Sequence, residues 1–448
     1  MVSAAEQLAS NLNFGVFAKA TDLKKRIWFT LGALVVYRLG TWIPLPGVDP
    51  HILGELFKQN GGGILGMFDM LAGGALHRMT IFALNIMPYI TASIIIQLMT
   101  SVVPSLESMK KEGESGRKKI NQYTRYLTLV IATAQAYGMA VGLESMHGPA
   151  GSAVFMDSHL LFRFSAVCTL VGGTLFLMWL GEQITARGIG QGTSLIIMAG
   201  IVAELPAAIG STLELGRTGA LPVLLILGIL AMVVAVIAFI VFLERAQRRI
   251  IVQYPKRQVG NKMYGGEASH LPLKVNTSGV IPPIFASSIL LMPATVAQFA
   301  AQGGPDWLVA ASSLIGHGQP LYIALYVALI VFFAFFYTSI VFNPVDTADN
   351  MKKYGGFIPG YRPGKATADF LDYVLTRLTV IGAAYLAALS VLPEILISKF
   401  SLPFYFGGTS LLIVVSVTMD TVAQIQSHLL AHQYEGLIKK ARLRSSRR

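Results

Sequence analysis

The chain contains few charged residues and a single cysteine. Charged residues make up 13% of its 448 positions, 54% are hydrophobic, and the mean hydropathy is +0.60. Soluble domains average about 25% charged residues, so this composition excludes an ordinary soluble protein and indicates a polytopic membrane protein. Because Cys168 is the only cysteine, an intrachain disulfide and a cysteine-based metal site are excluded as well.

The sequence also lacks the motifs of common catalytic chemistry. HExxH, GxSxG and the phosphate-binding GxxxxGK[ST] are absent. The stretch GESGRKK, from Gly113 to Lys119, superficially resembles a nucleophile turn but lies in a charged loop with no paired base. We therefore expect no enzyme, no catalytic residue, no metal and no cofactor, and any energy that the protein uses must come from a partner.

Long apolar windows recur along the chain, and a helix needs about 20 such residues to cross a bilayer. They lie near 27–45, 80–103, 126–143, 160–181, 194–213, 220–243, 279–300, 320–342, 374–397 and 408–431. Ten spans place both termini on one side of the membrane. The polar N-terminus shows no short apolar core followed by a small-residue cleavage site, so we expect no cleaved signal peptide.

Lys and Arg are concentrated on one side of this predicted topology. Most of the 35 fall in the N-terminus, in the loops after even-numbered spans and in the C-terminal tail, an excess that marks the cytoplasmic side. The predicted segments are a cytoplasmic N-terminus (1–26), a first five-helix half (27–213), a sixth helix that opens the second half (214–243), a basic cytoplasmic loop (244–278), the remaining helices (279–431) with a second cytoplasmic loop (343–373), and a basic tail (432–448).

The two cytoplasmic loops at 244–278 and 343–373 are unusually long. Each has about thirty residues, against roughly 2 to 8 for most connections in helical bundles. Both are basic and rich in Gly and Pro. Two interpretations stay open: the loops are docking surfaces, or they are solvated connectors held near anionic lipid.

Two short repeats suggest an internal symmetry. GTSLII (192–197) matches GTSLLI (408–413), and IMPYI (86–90) matches VIPPI (280–284), each pair five spans apart. An odd-numbered repeat enters the membrane from opposite sides, so the matches predict two five-helix halves of inverted topology. We expect the prolines of the second pair to cost helix hydrogen bonds that neighbouring helices or a water-filled cavity replace, with a simple packing kink as the alternative.

The repeats place isoleucine, rather than charge, where the halves would meet. The second and seventh windows contain no carboxylate, histidine or basic residue, whereas a solute transporter is expected to carry such groups near the midplane. A collar of isoleucines would gate by dewetting and hold no ion. These side chains could instead face lipid or a neighbouring helix. The candidates are Ile86, Ile90, Ile197, Ile284 and Ile413.

Seven long motifs, in order over essentially the whole chain, resemble the SecY family of bacterial protein translocase channels. They are KKEGESGRKKINQYTRY, FLMWLGEQITARGIGQGTS, SHLPLKVN, IFASSILLMPAT, FYTSIVFNPVDTADNMKK, FIPGYRPGKAT and PFYFGGTSLLIVVSV. The resemblance implies an all-α polytopic membrane protein with ten transmembrane helices in two inverted five-helix halves, a clamshell, and a half-length plug helix. It implies a channel that passes unfolded secretory polypeptides across the cytoplasmic membrane and releases membrane segments laterally into it.

The resemblance also implies roles for individual residues. The isoleucine ring would include Thr193, often Ile in relatives, which makes the collar slightly more polar here. The short apolar segment 64–76 would be the plug, and its glycines would permit the motion. The plug residues are Ile64, Leu65, Met67, Phe68, Met70 and Leu71; the lateral gate residues are Thr91, Gln135, Asn276 and Met292; the motor and ribosome docking residues are Arg248, Arg249, Lys256, Arg257 and Arg362.

The partners implied by the resemblance are SecE and SecG, the ATPase SecA, the ribosome with its RNA and proteins, nascent secretory and membrane chains, and membrane lipid. The implied location is the bacterial cytoplasmic (inner) membrane, with both termini cytoplasmic. Two alternatives remain at this point. One is an inverted-repeat secondary solute transporter, and the other is an insertase that opens laterally but has no through-pore.

Overall fold

The computed structural model describes residues 21–50, 52, 54, 69, 72–145, 147–148, 151–152, 154, 158–218, 222–254, 257–259, 262–264, 268–300, 319–400 and 408–445. The chain divides into two compact units. The first comprises Met1–Ile209, Val296–Leu308 and Val417–Arg448, and the second comprises Gly210–Thr295 and Val309–Ser416. Each unit is described by itself below.

Helices dominate both units. They are α1 (Thr21–Gly40), α2 (Met87–Val102), α3 (Pro104–Lys111), α4 (Glu114–Ser145), α5 (His159–Arg187), α6 (Gly192–Arg217), α7 (Val223–Arg245), α8 (Ile281–Ala300), α9 (Pro320–Val341), α10 (Pro344–Lys353), α11 (Lys365–Phe400) and α12 (Gly408–Ser445). The strands are β1 (His147–Gly148), β2 (Gly151–Ser152), β3 (Gln247–Gln253), β4 (Arg257–Val259), β5 (Lys262–Tyr264) and β6 (Ala268–Lys274), paired antiparallel as β1–β2, β3–β6 and β4–β5.

Each of the ten apolar windows coincides with a helix, and these are α1, α2, α4 to α9, α11 and α12. Within the described part of the chain, seven helices are long and apolar enough to cross a membrane, or eight if the bent pair α2–α3 counts as one span. Helix α8 contributes a shorter apolar stretch, Ile281–Leu290. Helix α1 begins earlier than its window, at Thr21, and carries the charged sequence DLKKR in its first turns.

The proline motifs begin helices instead of interrupting them, which corrects the expectation for IMPYI. The second window starts at residue 80, but residues 80–86 are not helical and α2 begins at Met87, so Pro88 lies in its first turn. Pro282 and Pro283 occupy the first turn of α8. The first backbone N–H groups of a helix have no partner within the helix, so proline costs no hydrogen bond there. The expected cost is therefore absent at all three prolines.

Contacts at one end of the first unit hold the connection between α5 and α6. Ile189 packs with Leu23 of α1 and Leu429 of α12 in a buried cluster. The Ile189 N–H donates to the Thr30 hydroxyl oxygen (3.0 Å), and the Gly190 N–H donates to Gln424 Oε1 (2.8 Å). This connection leads directly into the GTSLII segment, which opens α6 as its sequence indicates.

The two long loops that the sequence predicts to be cytoplasmic fold together, a feature that the sequence analysis did not predict. Strands β3 and β6 form a ladder of seven residue pairs, from Gln247↔Lys274 to Gln253↔Ala268. Gln253 then pairs with Phe357 of the second loop, with N–H···O distances of 2.9 and 3.0 Å in the two directions. We call the β3–β6 hairpin, α10, residues 354–364 and the first turns of α11 the cytoplasmic module.

Candidate functional site

Three of the predicted ring isoleucines lie in the first unit and are buried. Ile86, Ile90 and Ile197 are at most 7% exposed. A Cβ atom on Gly181 of α5 would lie 3.5 Å from Ile86 Cδ1 and 3.4 Å from Thr193 Cγ2. Ile86, which precedes α2, and Thr193, the second residue of α6, therefore pack against the same point of α5.

The other two predicted ring isoleucines lie in the second unit. Ile284 is 9% exposed and follows the double proline that opens α8, while Ile413 is 2% exposed in the second turn of α12. The Ile284 carbonyl accepts hydrogen bonds from the hydroxyls of Ser287 (2.9 Å) and Ser288 (2.7 Å). The polar atoms of this turn are thus satisfied within the helix. That the five isoleucines and Thr193 form one ring stays a prediction.

The predicted plug lies mostly outside the described residues. This holds for each of its named residues, Ile64, Leu65, Met67, Phe68, Met70 and Leu71, whereas Asp69 and the end of the segment from Ala72 are described. Asp69 accepts hydrogen bonds at Oδ1 from the backbone N–H groups of Leu76 (3.0 Å) and His77 (2.9 Å), and its Oδ2 lies 2.6 Å from His77 Nδ1. The Asp69 side chain therefore closes a compact turn.

Residues 72–80 anchor this turn to the first unit. The Tyr37 hydroxyl donates to the Ala72 carbonyl (3.4 Å), and Arg38 Nη1 donates to the Gly73 carbonyl (2.7 Å). Backbone hydrogen bonds then join Leu45 N to Met79 O (2.8 Å) and continue at residues 43 and 81. The chain that connects the predicted plug to α2 is therefore fixed to α1.

Close packing, and not only freedom of motion, requires the glycines at this turn. Gly73 and Gly74 have φ values of +66° and +76°. A Cβ atom on Gly73 would lie 2.9 Å from the Cα of Gly200 in α6, and one on Gly74 would lie 2.5 Å from Glu204 Oε1. At Gly73 the left-handed backbone and the neighbouring backbone of Gly200 both disfavour a larger residue, and at Gly74 a larger residue would be strained and would displace the Glu204 carboxylate.

Two of the predicted lateral gate residues, Thr91 and Asn276, make hydrogen bonds within their own unit. The Thr91 hydroxyl donates to the Met87 carbonyl one turn earlier in α2 (3.1 Å), and Gln135 is half-buried in α4. Asn276 is 3% exposed and donates from Nδ2 to Glu244 Oε1 (2.7 Å) within the second unit. Met292 lies in α8, with its side chain outside the described part. Whether these positions line one seam stays a prediction.

The cytoplasmic module presents basic side chains on a hydrophobic core. Strand β3 alternates, with Ile250 and Val252 buried and Arg248 and Arg249 exposed. The core beneath joins the hairpin, the second loop and α11, and it consists of Ile250, Leu273, Ile358, Leu371, Val374 and Leu378. The alternation turns Arg249 to the face opposite Ile250 and Val252, because side chains of a strand point to opposite faces in turn, and Arg248 is exposed near the start of the strand.

The second loop supports Arg362 in a tight bend. Gly360 and Gly364 on either side of it have φ values of +88° and +110°. The Arg362 carbonyl accepts a hydrogen bond from the Thr367 hydroxyl (2.9 Å), and its side chain is exposed. Of the remaining predicted docking residues, Arg257 belongs to β4 with its side chain outside the described part, and Lys256 lies outside it entirely.

Two ion pairs between neighbouring helices were missed by sequence reasoning. Arg125 of α4 binds Glu182 of α5 through two hydrogen bonds of 3.0 and 2.6 Å. Arg163 of α5 binds Glu144 of α4, which is 9% exposed, with a shortest distance of 2.6 Å. Bidentate Arg–carboxylate pairs of this kind fix two helices in register. Glu182 therefore has an interhelical partner.

Comparison with known proteins places this geometry in a family. The SecY family model matches residues 80–422. The protein translocase subunit SecY of Rickettsia conorii is 57% identical over 424 residues, covering 95% of this chain and 98% of that protein. Two solved structures share the fold at low identity, each covering 91% of this chain and 92% of the other. One, at TM-score 0.62 and 19% identity, is a SecY whose plug domain is described as stabilising the closed translocation channel and maintaining a membrane seal. The other, at TM-score 0.63 and 17% identity, is canine Sec61 in a ribosome–channel complex from the endoplasmic reticulum. The chain therefore belongs to the SecY family.

Proposed function

We propose that this chain is the protein-conducting channel of a membrane translocase, passing unfolded polypeptides across the bilayer and releasing membrane segments laterally into it. The observation that carries the proposal is the family match over residues 80–422, a range that includes every predicted ring and gate residue. A solute transporter is not favoured, because the relative over 95% of the chain is a protein translocase subunit.

The ring would seal the pore through the bulk of its apolar side chains and not through hydrogen bonds to the polypeptide. Its candidates, Ile86, Ile90, Ile197, Ile284 and Ile413, are each buried within their own unit. Branched aliphatic side chains can surround any polypeptide without hydrogen-bonding to it, and an apolar constriction excludes ions by dewetting. The packing of the half-buried Thr193 and of Ile86 against the same point of α5 supports a single hydroxyl in an otherwise apolar collar.

The half-length segment 64–76 would close the pore as a plug. Its support is the anchor described above: the last residues of the segment are tied to α1 by Tyr37 and Arg38, so the segment has a fixed attachment at its end. The plug domain named for the related SecY structure is consistent with this role.

Ion conductance in planar bilayers tests the channel and the plug together. The sample is the chain with SecE and SecG, and the variant deletes residues 64–68 while keeping Asp69 and the anchor. We expect a silent wild type and a conducting variant. The matched control deletes residues 149–153, an equally long stretch of the connection between α4 and α5 that includes strand β2, and should stay silent. If the plug deletion remains silent even when all five ring isoleucines are changed to glycine, the channel proposal is wrong.

Docking on the cytoplasmic module would supply the energy. The exposed Arg248, Arg249 and Arg362 suit both ribosomal RNA phosphates and acidic protein surfaces, because guanidinium binds either through bidentate hydrogen bonds. The canine relative is described in complex with a ribosome, which supports a ribosome partner here. SecA is the proposed ATPase partner, the inner membrane is the proposed location, and both termini are placed in the cytoplasm by the Lys and Arg distribution.

Reversing the charge of Arg362 separates the two docking partners. We expect Arg362→Glu to impair SecA-driven export more than ribosome-dependent membrane insertion, measured with one purified complex in both assays. Tyr361→Phe is the matched control, because it alters the neighbouring side chain without changing charge. Equal loss in the two assays would contradict the assignment of Arg362 to the motor.

A further inference from the structure

The linker between strand β6 and helix α8, residues 275–280, is held in place by hydrogen bonds and burial. Val275 N–H donates to the Ala246 carbonyl (3.0 Å). Asn276 Nδ2 donates to both Glu244 Oε1 (2.7 Å) and the Gly279 carbonyl (3.1 Å). A buried amide that donates to a carboxylate makes a hydrogen bond stronger than one between neutral groups. The entry of α8 is thereby tied to the end of α7.

Further contacts enclose the same linker. Ser278 is 4% exposed, and its hydroxyl donates to Asn276 Oδ1 (3.2 Å). A Cβ atom on Gly382 of α11 would lie only 2.9 Å from the Val275 carbonyl oxygen. Helix α11 therefore packs directly against the linker. We call this set of residues the α8 junction: Glu244, Ala246, Val275, Asn276, Ser278 and Gly382.

The α8 junction lies between the docking surface and α8. A single residue, Ala246, separates α7 from β3, and the hairpin returns through β6 to the junction. Its seven paired residues make the hairpin a stiff element, and Ile250 and Leu273 pack it onto the core shared with α11. Arg248 and Arg249 pair with Leu273 and Pro272 of β6, close in sequence to the linker.

We propose that the Glu244–Asn276 hydrogen bond transmits docking on the cytoplasmic module to α8, the helix that carries Ile284 and Met292. The proposal rests on the proposed function, in which those two residues belong to the pore ring and the gate. Gly279 has a φ of +63° and no atom within 4 Å of a Cβ position, so the linker has a natural point of bending. Asn276 Nδ2 bridges the Gly279 carbonyl and Glu244 Oε1, so it links this bend to the end of α7. Without the Glu244 bond the bend would be held only within the linker, which would then absorb the displacement.

Glu244 and Asn276 are therefore positioning residues, and their test must separate docking from opening. The assay uses the complete channel complex in proteoliposomes with SecA, ATP and an unfolded preprotein. It measures SecA affinity and the amount of preprotein translocated per ATP hydrolysed. We expect Glu244→Ala to leave SecA affinity within about twofold and to lower the translocation yield per ATP about tenfold, as expected for losing one strong hydrogen bond. Glu244→Gln retains an acceptor oxygen and should restore most of the yield.

Two further variants keep the test decisive. Thr277→Ala removes a hydrogen bond to the Lys274 carbonyl (3.0 Å) in the same linker without touching α7, so it should behave like the wild type. Gly382→Ala pushes the linker away from α11 by steric contact and should uncouple translocation as Glu244→Ala does. If Glu244→Ala fails to fold, the translocation yield per ATP of Gly382→Ala tests the proposal in its place.

Three results would overturn the proposal. They are an unchanged yield per ATP in Glu244→Ala, a parallel loss of SecA affinity and yield, and a Glu244→Gln variant as defective as Glu244→Ala. Each of these results would show that the Glu244–Asn276 hydrogen bond plays no part in coupling docking to α8. A folded wild type that binds SecA but moves no preprotein would instead overturn the proposed function, and the coupling proposal with it.

Discussion

Helices α2 and α8 begin with the same local chemistry but rest on different supports. Both start with proline in the first turn, and both carry a predicted ring isoleucine at or near that start. The entry of α2 follows residues 72–86, which are anchored to α1 by Arg38 and packed against Gly200. The entry of α8 follows residues 275–280, which are tied to α7 and α11 beneath the cytoplasmic module.

The two repeated segments therefore begin helices in the same way, but the residues that surround each helix start differ and give the two starts different roles. An entry fixed only to membrane helices is expected to keep its place when a partner docks in the cytoplasm. An entry joined to a basic, exposed hairpin is expected to follow that partner. Within each unit, the support, and not the proline motif, therefore determines what can move the helix.

The largest expected change in the difference between the two helix entries comes from weakening the hydrophobic core of the cytoplasmic module. Leu371 of α11 is fully buried in the core shared with the hairpin. We expect Leu371→Ala to destabilise the cytoplasmic module by about 4 kcal/mol, through lost apolar contact and the cavity left behind. Hydrogen exchange should show faster exchange of the β3 and β6 amides, with those of residues 74–81 unchanged. Equal loosening at both helix entries would contradict the separation of the two supports.

Adding one methyl group to each entry compares the supports directly. Gly73 and Gly279 have similar φ values, +66° and +63°, but only Gly73 lies against a neighbouring backbone. We expect Gly279→Ala to cost about 1 kcal/mol, from the left-handed conformation alone. Gly73→Ala adds overpacking against Gly200 and should cost about 3 kcal/mol. Local hydrogen exchange in the purified complex measures both costs, and similar values would mean that the α2 entry is not closely packed.

The smallest effect should come from the cap of α10. Asn343 Oδ1 accepts hydrogen bonds from the N–H groups of Val345 (3.0 Å) and Asp346 (3.4 Å). We expect Asn343→Ala to cost the module about 1 kcal/mol, and Asn343→Ser, which keeps an acceptor, to cost less. Amide hydrogen exchange of α10, followed while the complex is heated, measures this cost. An α10 that exchanges no faster in Asn343→Ala would show that its packing outweighs its cap.

The helices were predictable because bilayer length and hydropathy constrain them strongly. All ten windows coincide with helices, and both GTSL segments begin helices as their sequences indicate. The start of α2 was wrong by seven residues, since apolar composition continues through residues 80–86 while the backbone does not become helical until Met87. Hydropathy cannot distinguish a buried irregular segment from a helix turn, but Pro88 carried the signal for the helix start.

The cytoplasmic hairpin had a sequence signal that was overlooked. QRRIIVQ and ASHLPLK are seven-residue runs with β-branched or alternating apolar residues, as expected for paired strands. The pairing of Gln253 with Phe357 had no such signal, because the two residues are far apart in sequence and their contact depends on the folded module. The same holds for Arg125 with Glu182, where charge alone does not identify the partner.

The shared core of the cytoplasmic module has a consequence for building hybrid channels. Because Ile250 and Leu273 from the first loop pack on Ile358 from the second and Leu371 from α11, neither loop has a hydrophobic face that is complete without the other. Grafting residues 244–278 alone from a relative would mismatch this face, whereas exchanging 244–278 and 343–378 together would transfer a self-consistent module. We therefore expect partner preference to transfer with this pair of segments, separated in sequence and joined by one core, and not with either loop alone.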